Sequence, residues 1–179
     1  YYDPDVKAAG KTVCRRMGVL EDIDLFDPLF FNISPSEAEQ MDPQQRLFLE
    51  TAWHAIEDAG YDPTSLSASL CGVFIGCQGN DYSRRMAGRP PTAHGLIGES
   101  VAMLPARIAY VLNLRGPCLA IDTACSASLV AIANACDSLV LGTSDVALAG
   151  GVYQRRAGHP SQDEQRRHAL AGWALLQLR

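Results

Sequence analysis

No stretch of this sequence approaches the roughly 18 uninterrupted apolar residues of a membrane-spanning helix, so a membrane protein is not expected. The six cysteines include no C-x-x-C pair, and no Cys/His cluster has the spacing of a zinc site. No metal is therefore expected. Basic charge is also in short supply: the formal net charge is −5. That argues against a nucleic-acid partner, which needs a basic footprint. The chain opens Tyr1-Tyr2-Asp3-Pro4, without a Met, a basic n-region or an apolar h-region. No signal peptide is expected, and a first residue other than Met is expected of a piece cut from something longer. There are no internal repeats and no low-complexity tracts.

What is present is an ordinary globular composition, with 47% hydrophobic and 20% charged residues among 179. That length makes room for one domain with a core able to fold without staples. Charge is unevenly spread. Residues 1–152 carry 10 basic and 18 acidic side chains, whereas residues 153–179 carry 5 basic and 2 acidic ones. Cys14, Cys71, Cys77, Cys118, Cys125 and Cys136 fall at irregular intervals, several in apolar runs. Reduced thiols in a cytoplasmic protein are expected, rather than a disulfide framework.

Local patterns divide the chain into alternating elements. Residues 1–34 are loop-rich, and the apolar Leu29–Ile33 segment is expected to lie against a core or a partner. Ser34-Pro35-Ser36-Glu37 and Asp42-Pro43-Gln44-Gln45 both carry helix-start grammar: a capping side chain, Pro at N1, and Glu or Gln at N3. The second start predicts a helix over Pro43–Ala59, with Phe48, Ala52, Ala55, Ile56 and Ala59 on its buried stripe and Gly60 at its end. Cys71–Gly76 and Cys118–Ile121 read as buried strands, and Val146–Ala149 as a third, closed by Gly150-Gly151. Residues 77–98 read as a surface loop. Ser100–Val111 reads as a helix kinked or restarted at Pro105. Leu129, Ile132, Ala133, Cys136, Leu139 and Val140 mark the expected inner stripe of a helix that Gly142 ends. Buried strands alternating with helices predict a layered α/β sheet with parallel strands.

Cys125 stands where the second strand should turn into that last helix. Small residues surround it in Asp122-Thr123-Ala124-Cys125-Ser126-Ala127-Ser128, leaving room for a substrate chain. A helix starting near Ser126 would turn its first N–H groups back toward the sulfur, favouring a thiolate and a developing oxyanion. That is the logic of a nucleophile elbow with cysteine as nucleophile. By spacing alone, a cysteine that merely caps a buried helix fits as well. A Cys hydrolase fits less well, because no His/Asp partner set is placed for it.

At these residues a family resemblance appears. Asp122-Thr123-Ala124-Cys125-Ser126-Ala127-Ser128-Leu129-Val130-Ala131 is similar to the active-site signature of β-ketoacyl synthases, the condensing domains of modular type I polyketide synthases. Phe26–Pro35, Met41–Arg46 and Arg107–Pro117 fit the same family, and the resemblance runs over residues 1–152. It implies an α/β fold of the thiolase-like, layered αβαβα kind, built from two similar halves, of which this chain would be the N-terminal half. It implies that Cys125 takes an acyl chain from the phosphopantetheine arm of an acyl carrier protein. A decarboxylating malonyl-type extender then attacks the thioester in a Claisen condensation of polyketide or fatty-acid biosynthesis. The chain would hold no cofactor of its own, and the full domain would be a homodimer. Cys rather than Gln at 125 argues against the decarboxylation-only loading variant. Ala127 stands where the signature more usually has Ser.

The resemblance also implies two histidines, from the second half, that polarise the extender carbonyl and stabilise the enolate. His54, His94, His159 and His168 match neither of them, so the chain alone is not expected to condense. The tail 153–179 departs from the family. Its Gln162–Arg167 and Ala169–Leu178 stretches read as a short helix, as after a frameshift or a truncated gene model. The alternative function is an inactive remnant that pairs with another subunit through the part of the sheet it retains.

Overall fold

The computed structural model describes residues 2–5, 25–79, 82, 90, 92–156 and 167–177, the positions from 154 onward as backbone only. Cys14, His159 and all of the stretch 83–89 lie outside the described residues. The element order is α1 (Pro35–Ala38), α2 (Pro43–Asp58), a 3-10 turn (Pro63–Leu66), β1 (Cys71–Cys77), α3 (Ala93–Glu99), α4 (Met103–Val111), β2 (Cys118–Ile121), a 3-10 turn (Ala124–Ser126), α5 (Ala127–Val140), β3 (Val146–Arg156) and β4 (Arg167–Gln177). Among the described residues no helix is long and apolar enough to cross a membrane.

The strands form one sheet in the order β2-β1-β3-β4. β1 pairs in parallel with both β2 and β3, and β4 runs antiparallel to β3. The two faces differ in bulk. Val73, Ile75, Leu148 and Val152 point into a core shared with Phe48, Leu49, Ile56, Leu104 and Ile108 of α2 and α4. Phe74, Ala147 and Ala149 point the other way, against Ala131, Ala135 and Leu139 of α5. Helices therefore cover both faces, as a sheet with parallel central strands requires. Every residue of β1 is buried, as expected of the central strand.

The helix ends follow the sequence grammar. Ser34 Oγ accepts the Glu37 N–H, and Asp42 Oδ1 accepts the Gln44 N–H. At the other end of α2, the Gly60 N–H reaches Glu57 O and the Tyr61 N–H reaches Ile56 O. This is a Schellman closure, with Gly60 at φ +84°. The N3 side chains, however, do not reach back to their caps. Gln45 Nε2 instead donates to the carbonyls of Ile97, Gly98 and Ser100, and Gln45 Oε1 accepts from Arg107 Nε. Arg107 Nη1 also pairs with Glu37 Oε1 at 2.6 Å. This buried cluster ties α1, α2 and α4 to the chain leaving α3. Arg107→Ala would leave Gln45 and the Glu37 carboxylate short of a partner. It is expected to cost about 3 kcal/mol, read as a lowered denaturation midpoint. A shift no larger than that of an exposed Arg115→Ala variant would contradict this role.

Several expectations are corrected. Pro105 neither kinks nor restarts α4. It falls in the first turn, where its missing N–H would have had no helical partner. The 77–98 stretch is not all loop, since α3 forms there with Thr92 Oγ1 capping Gly95 N–H. β2 is not buried but an edge strand, half-exposed along its length. β3 does not stop at Gly150-Gly151 but runs on to Arg156. Residues 167–177, expected within a helix, form β4 on the outer edge of β3.

The largest correction concerns α5. Its inner face is Ala127, Ala131, Ala135, Ser138 and Leu139. Leu129 and Val140, expected inside, are 70% and 74% exposed. The Leu29–Ile33 segment divides: Phe31 and Ile33 enter the core, whereas Leu29 and Phe30 stay exposed. Even so, the Phe30 ring meets Trp53 edge-on at 4.9 Å.

Candidate active site

β2 ends at Ile121, and the chain turns through Asp122–Ser126 before α5 begins. The turn is fastened by its own short polar side chains. Asp122 Oδ1 accepts the Ala124 N–H at 3.0 Å. Ser126 Oγ donates to Thr123 O at 2.8 Å and lies 3.0 Å from Thr123 Oγ1. Asp and Ser make such local bonds readily because their polar atoms sit only one or two carbons from the backbone. Ala124 holds φ at +55°, a left-handed conformation that costs an alanine roughly 1–2 kcal/mol. The next residue is Cys125, exposed at the centre of the 3-10 turn.

Two further residues on, α5 starts, and its N-terminal end brings partial positive charge toward the turn. The N–H groups are arranged differently from expectation. Those of Ser126 and Ala127 bond to Thr123 O and Ala124 O within the turn itself. What the helix offers at Cys125 is therefore its dipole, not a free pair of donors from those two residues.

Other thiols are set apart by burial. Desolvation pushes Cys71 up to about 12 and Cys77 up to about 11, with only partial relief from backbone hydrogen bonds. Cys118 is exposed on the edge strand, yet desolvation raises it too, because its neighbours still shield part of it from water. Cys136 is exposed on α5. A thiol at about 12 is only ~10⁻⁴ ionised at pH 8. Limiting iodoacetamide at pH 8 should therefore label Cys125 at least ~10²-fold faster than Cys71 or Cys77. Peptide mapping that found Cys71 alkylated as fast as Cys125 would contradict this ordering.

The histidines are placed elsewhere. His54, on α2, lies 3.3 Å from Glu57 Oε2, and His94, on α3, lies 3.7 Å from Glu37 Oε2. His168 is on β4. Sequence reasoning placed Cys125 in a strand-to-helix turn, as the structure has it, but missed the Asp122, Thr123 and Ser126 bonds that hold that turn. The signal was present as a run of short polar residues around a small one. It also missed the Gln45–Arg107–Glu37 cluster, whose only local sign was Gln at N3 of α2.

Comparison with known proteins places this geometry. The family model described as "Beta-ketoacyl synthase, N-terminal domain" matches residues 1–164. Polyketide synthase PksL of Bacillus subtilis (strain 168) is 51% identical over 152 residues, covering 85% of this chain and 3% of that protein. The pikromycin polyketide synthase component PikAIII of Streptomyces venezuelae is 52% identical over 155 residues, covering 84% of this chain and 10% of that protein. The chain thus spans a small part of the length of these relatives. Among solved structures, the ketosynthase from module 6 of the bacillaene synthase of Bacillus subtilis 168 superposes with a TM-score of 0.69 at 48% identity. The match covers 80% of this chain and 24% of the other.

Proposed function

The chain belongs to the β-ketoacyl synthase family, with the thiolase-like fold of its ketosynthase neighbours, and on that premise we propose that Cys125 is the acyl acceptor of a condensing acyltransferase. The substrate class is an acyl thioester on the phosphopantetheine arm of an acyl carrier protein. The Cys125 thiolate adds to the thioester carbonyl, and the tetrahedral intermediate collapses with loss of the carrier's thiolate. The acyl chain is then an S-acyl group on Cys125. A malonyl-type extender on a second carrier loses CO₂, and the resulting enolate attacks that thioester and returns the Cys125 thiolate. The condensing domain as a whole works as a homodimer in the cytoplasm and needs no cofactor of its own.

One observation carries this reading: Cys125 is held exposed at a fastened turn beside a helix N-terminus, whereas Cys71 and Cys77 are buried and raised. The test is to incubate the full chain with an acyl thioester and map the acylated peptide. Acyl groups on Cys125 support the reading. Acylation of Cys118 or Cys136 instead, or of none, would sink it.

A second reading, an inactive subunit-pairing remnant, is favoured by the open edge of β2 and its exposed Leu119. Acyl loading separates the two, since a remnant has no reason to keep a reactive thiol.

A further inference from the structure

Beneath the first turn of α5 two neighbouring positions of the sheet carry no side chain. Gly76 of β1 pairs with Ile121, the last residue of β2, on one side and with Gly151 of β3 on the other. The three stand at one level across the sheet, directly before the turn. A Cβ on Gly76 would lie 2.4 Å from both the Ala127 carbonyl carbon and the Ser128 amide nitrogen. A Cβ on Gly151 would lie 2.6 Å from Ser128 Cβ. The first turn of α5 therefore rests on backbone, without intervening side chains.

We propose that Gly76 and Gly151 are positioning residues for Cys125, a two-glycine platform whose bare surface fixes the height of the α5 N-terminus and hence where the sulfur stands. The proposal rests on the reading of Cys125 as the acyl acceptor. Carbon–carbon contact settles near 3.5 Å or more, so a methyl group on either glycine must lift the helix start by about 1 Å. On Gly76 the obstacle is backbone, which cannot rotate away. The turn has little slack to absorb the movement. Ala124 already sits in a left-handed conformation, and Asp122, Thr123 and Ser126 bond across it. Displacement of a reacting atom by about 1 Å can cost up to ~10²-fold in rate.

The test uses two exposed thiols of the same helical region as each other's reference. The full chain is treated with limiting iodoacetamide, and the ratio of Cys125 to Cys136 labelling is read by peptide mapping. Gly76→Ala and Gly151→Ala should each lower that ratio by about two- to fivefold, because a sulfur displaced from the α5 N-terminus loses the dipole's support of its thiolate. Adding Ser128→Gly to Gly151→Ala removes the opposing Cβ and should restore the ratio. Gly116→Ala is the control. Its Cβ would meet the Cys71 carbonyl carbon at 2.4 Å, at the opposite end of β1. It should lower the melting temperature yet leave the ratio unchanged.

An unchanged ratio in Gly151→Ala, or a double variant that folds without recovering it, overturns the proposal. If Gly151→Ala alone fails to fold, the double variant decides. Acylation is read in parallel. A wild-type chain whose Cys125 alkylates in the expected pattern but takes no acyl group removes the functional reading and leaves the platform standing.

Discussion

Cys125→Ala is expected to abolish acyl loading while leaving the fold nearly untouched. No covalent acyl intermediate can form without the sulfur, and loss of a nucleophile typically removes on the order of 10⁴-fold or more of activity. Cys125 is exposed and its side chain has no role in the core. The substitution removes one sulfur atom from a turn held by Asp122, Thr123 and Ser126. The stability change should therefore stay within ~0.5 kcal/mol. Intact-mass spectrometry after incubation with an acyl thioester reads loading, and a denaturation curve reads stability. Residual loading at more than a few per cent of the wild-type level would mean that another thiol carries the chemistry. A large fall in stability would mean that the loss of loading says nothing about Cys125 itself.

A polypeptide of these 179 residues is expected to accept an acyl group but to form no β-ketoacyl product from a malonyl-loaded carrier protein. Condensation demands a second service besides acyl capture: groups that polarise the extender carbonyl and hold the enolate. Removal of a single oxyanion donor already costs ~10²–10³-fold. His54 on α2 faces Glu57 of the same helix, His94 on α3 faces Glu37 of α1, and the core of α2 lies across the sheet from α5. His54 cannot serve at Cys125 without refolding, and His94 is engaged with Glu37. Mass spectrometry of the carrier after incubation with both donors gives the answer. A two-carbon-extended β-keto species that disappears with Cys125→Ala would show that these residues do supply the missing donors.

How much of this could be read from the sequence depended on the range of the interaction involved. The caps at Ser34 and Asp42 and the Gly60 terminus are local, so residues a few positions apart announced them. β1 announced itself too, since the short apolar run Cys71–Gly76 has the length and composition of a buried strand, which the structure extends by one residue to Cys77. β2 has the same composition, yet it is an edge strand. Strand order is decided by what pairs beyond it, which its own four residues cannot encode. β4 is a stronger case of the same kind. Its Ala- and Leu-rich sequence favours a helix, and pairing with β3 overrides that preference.

The error on α5 is instructive in a different way. Its helical period and its end at Gly142 were legible, but the choice of inner stripe was not. The opposing sheet surface is Gly76, Ala147, Ala149 and Gly151 around the single large ring of Phe74, so the helix presents Ala127, Ala131 and Ala135 to it. A rule that sends the bulkiest apolar side chains inward assumes a partner with room for them. The candidate site was legible at Cys125, because a turn of small residues between a strand and a helix is a local pattern. The bonds that fasten that turn were less so, since many Ser, Thr and Asp residues lie near one another without bonding.

The smooth contact between α5 and its sheet also reverses the ordinary relation between mutation and damage. In most cores the harm comes from shrinking a side chain, which opens a void. Under the first turn of α5 there is little left to shrink, because alanine and glycine already meet there, whereas Phe74 fills the layer farther along the helix. Harm there comes from growth, and even one added methyl group must displace backbone. On the outer side of this helix, Leu129 and Val140 are not held by their own sheet, and a larger side chain there meets no such obstacle within this chain. Near the Cys125 turn the inner side, at Ala127 and Ala131, behaves as a size gate that admits only the smallest residues, whereas the far end of the helix accommodates Leu139.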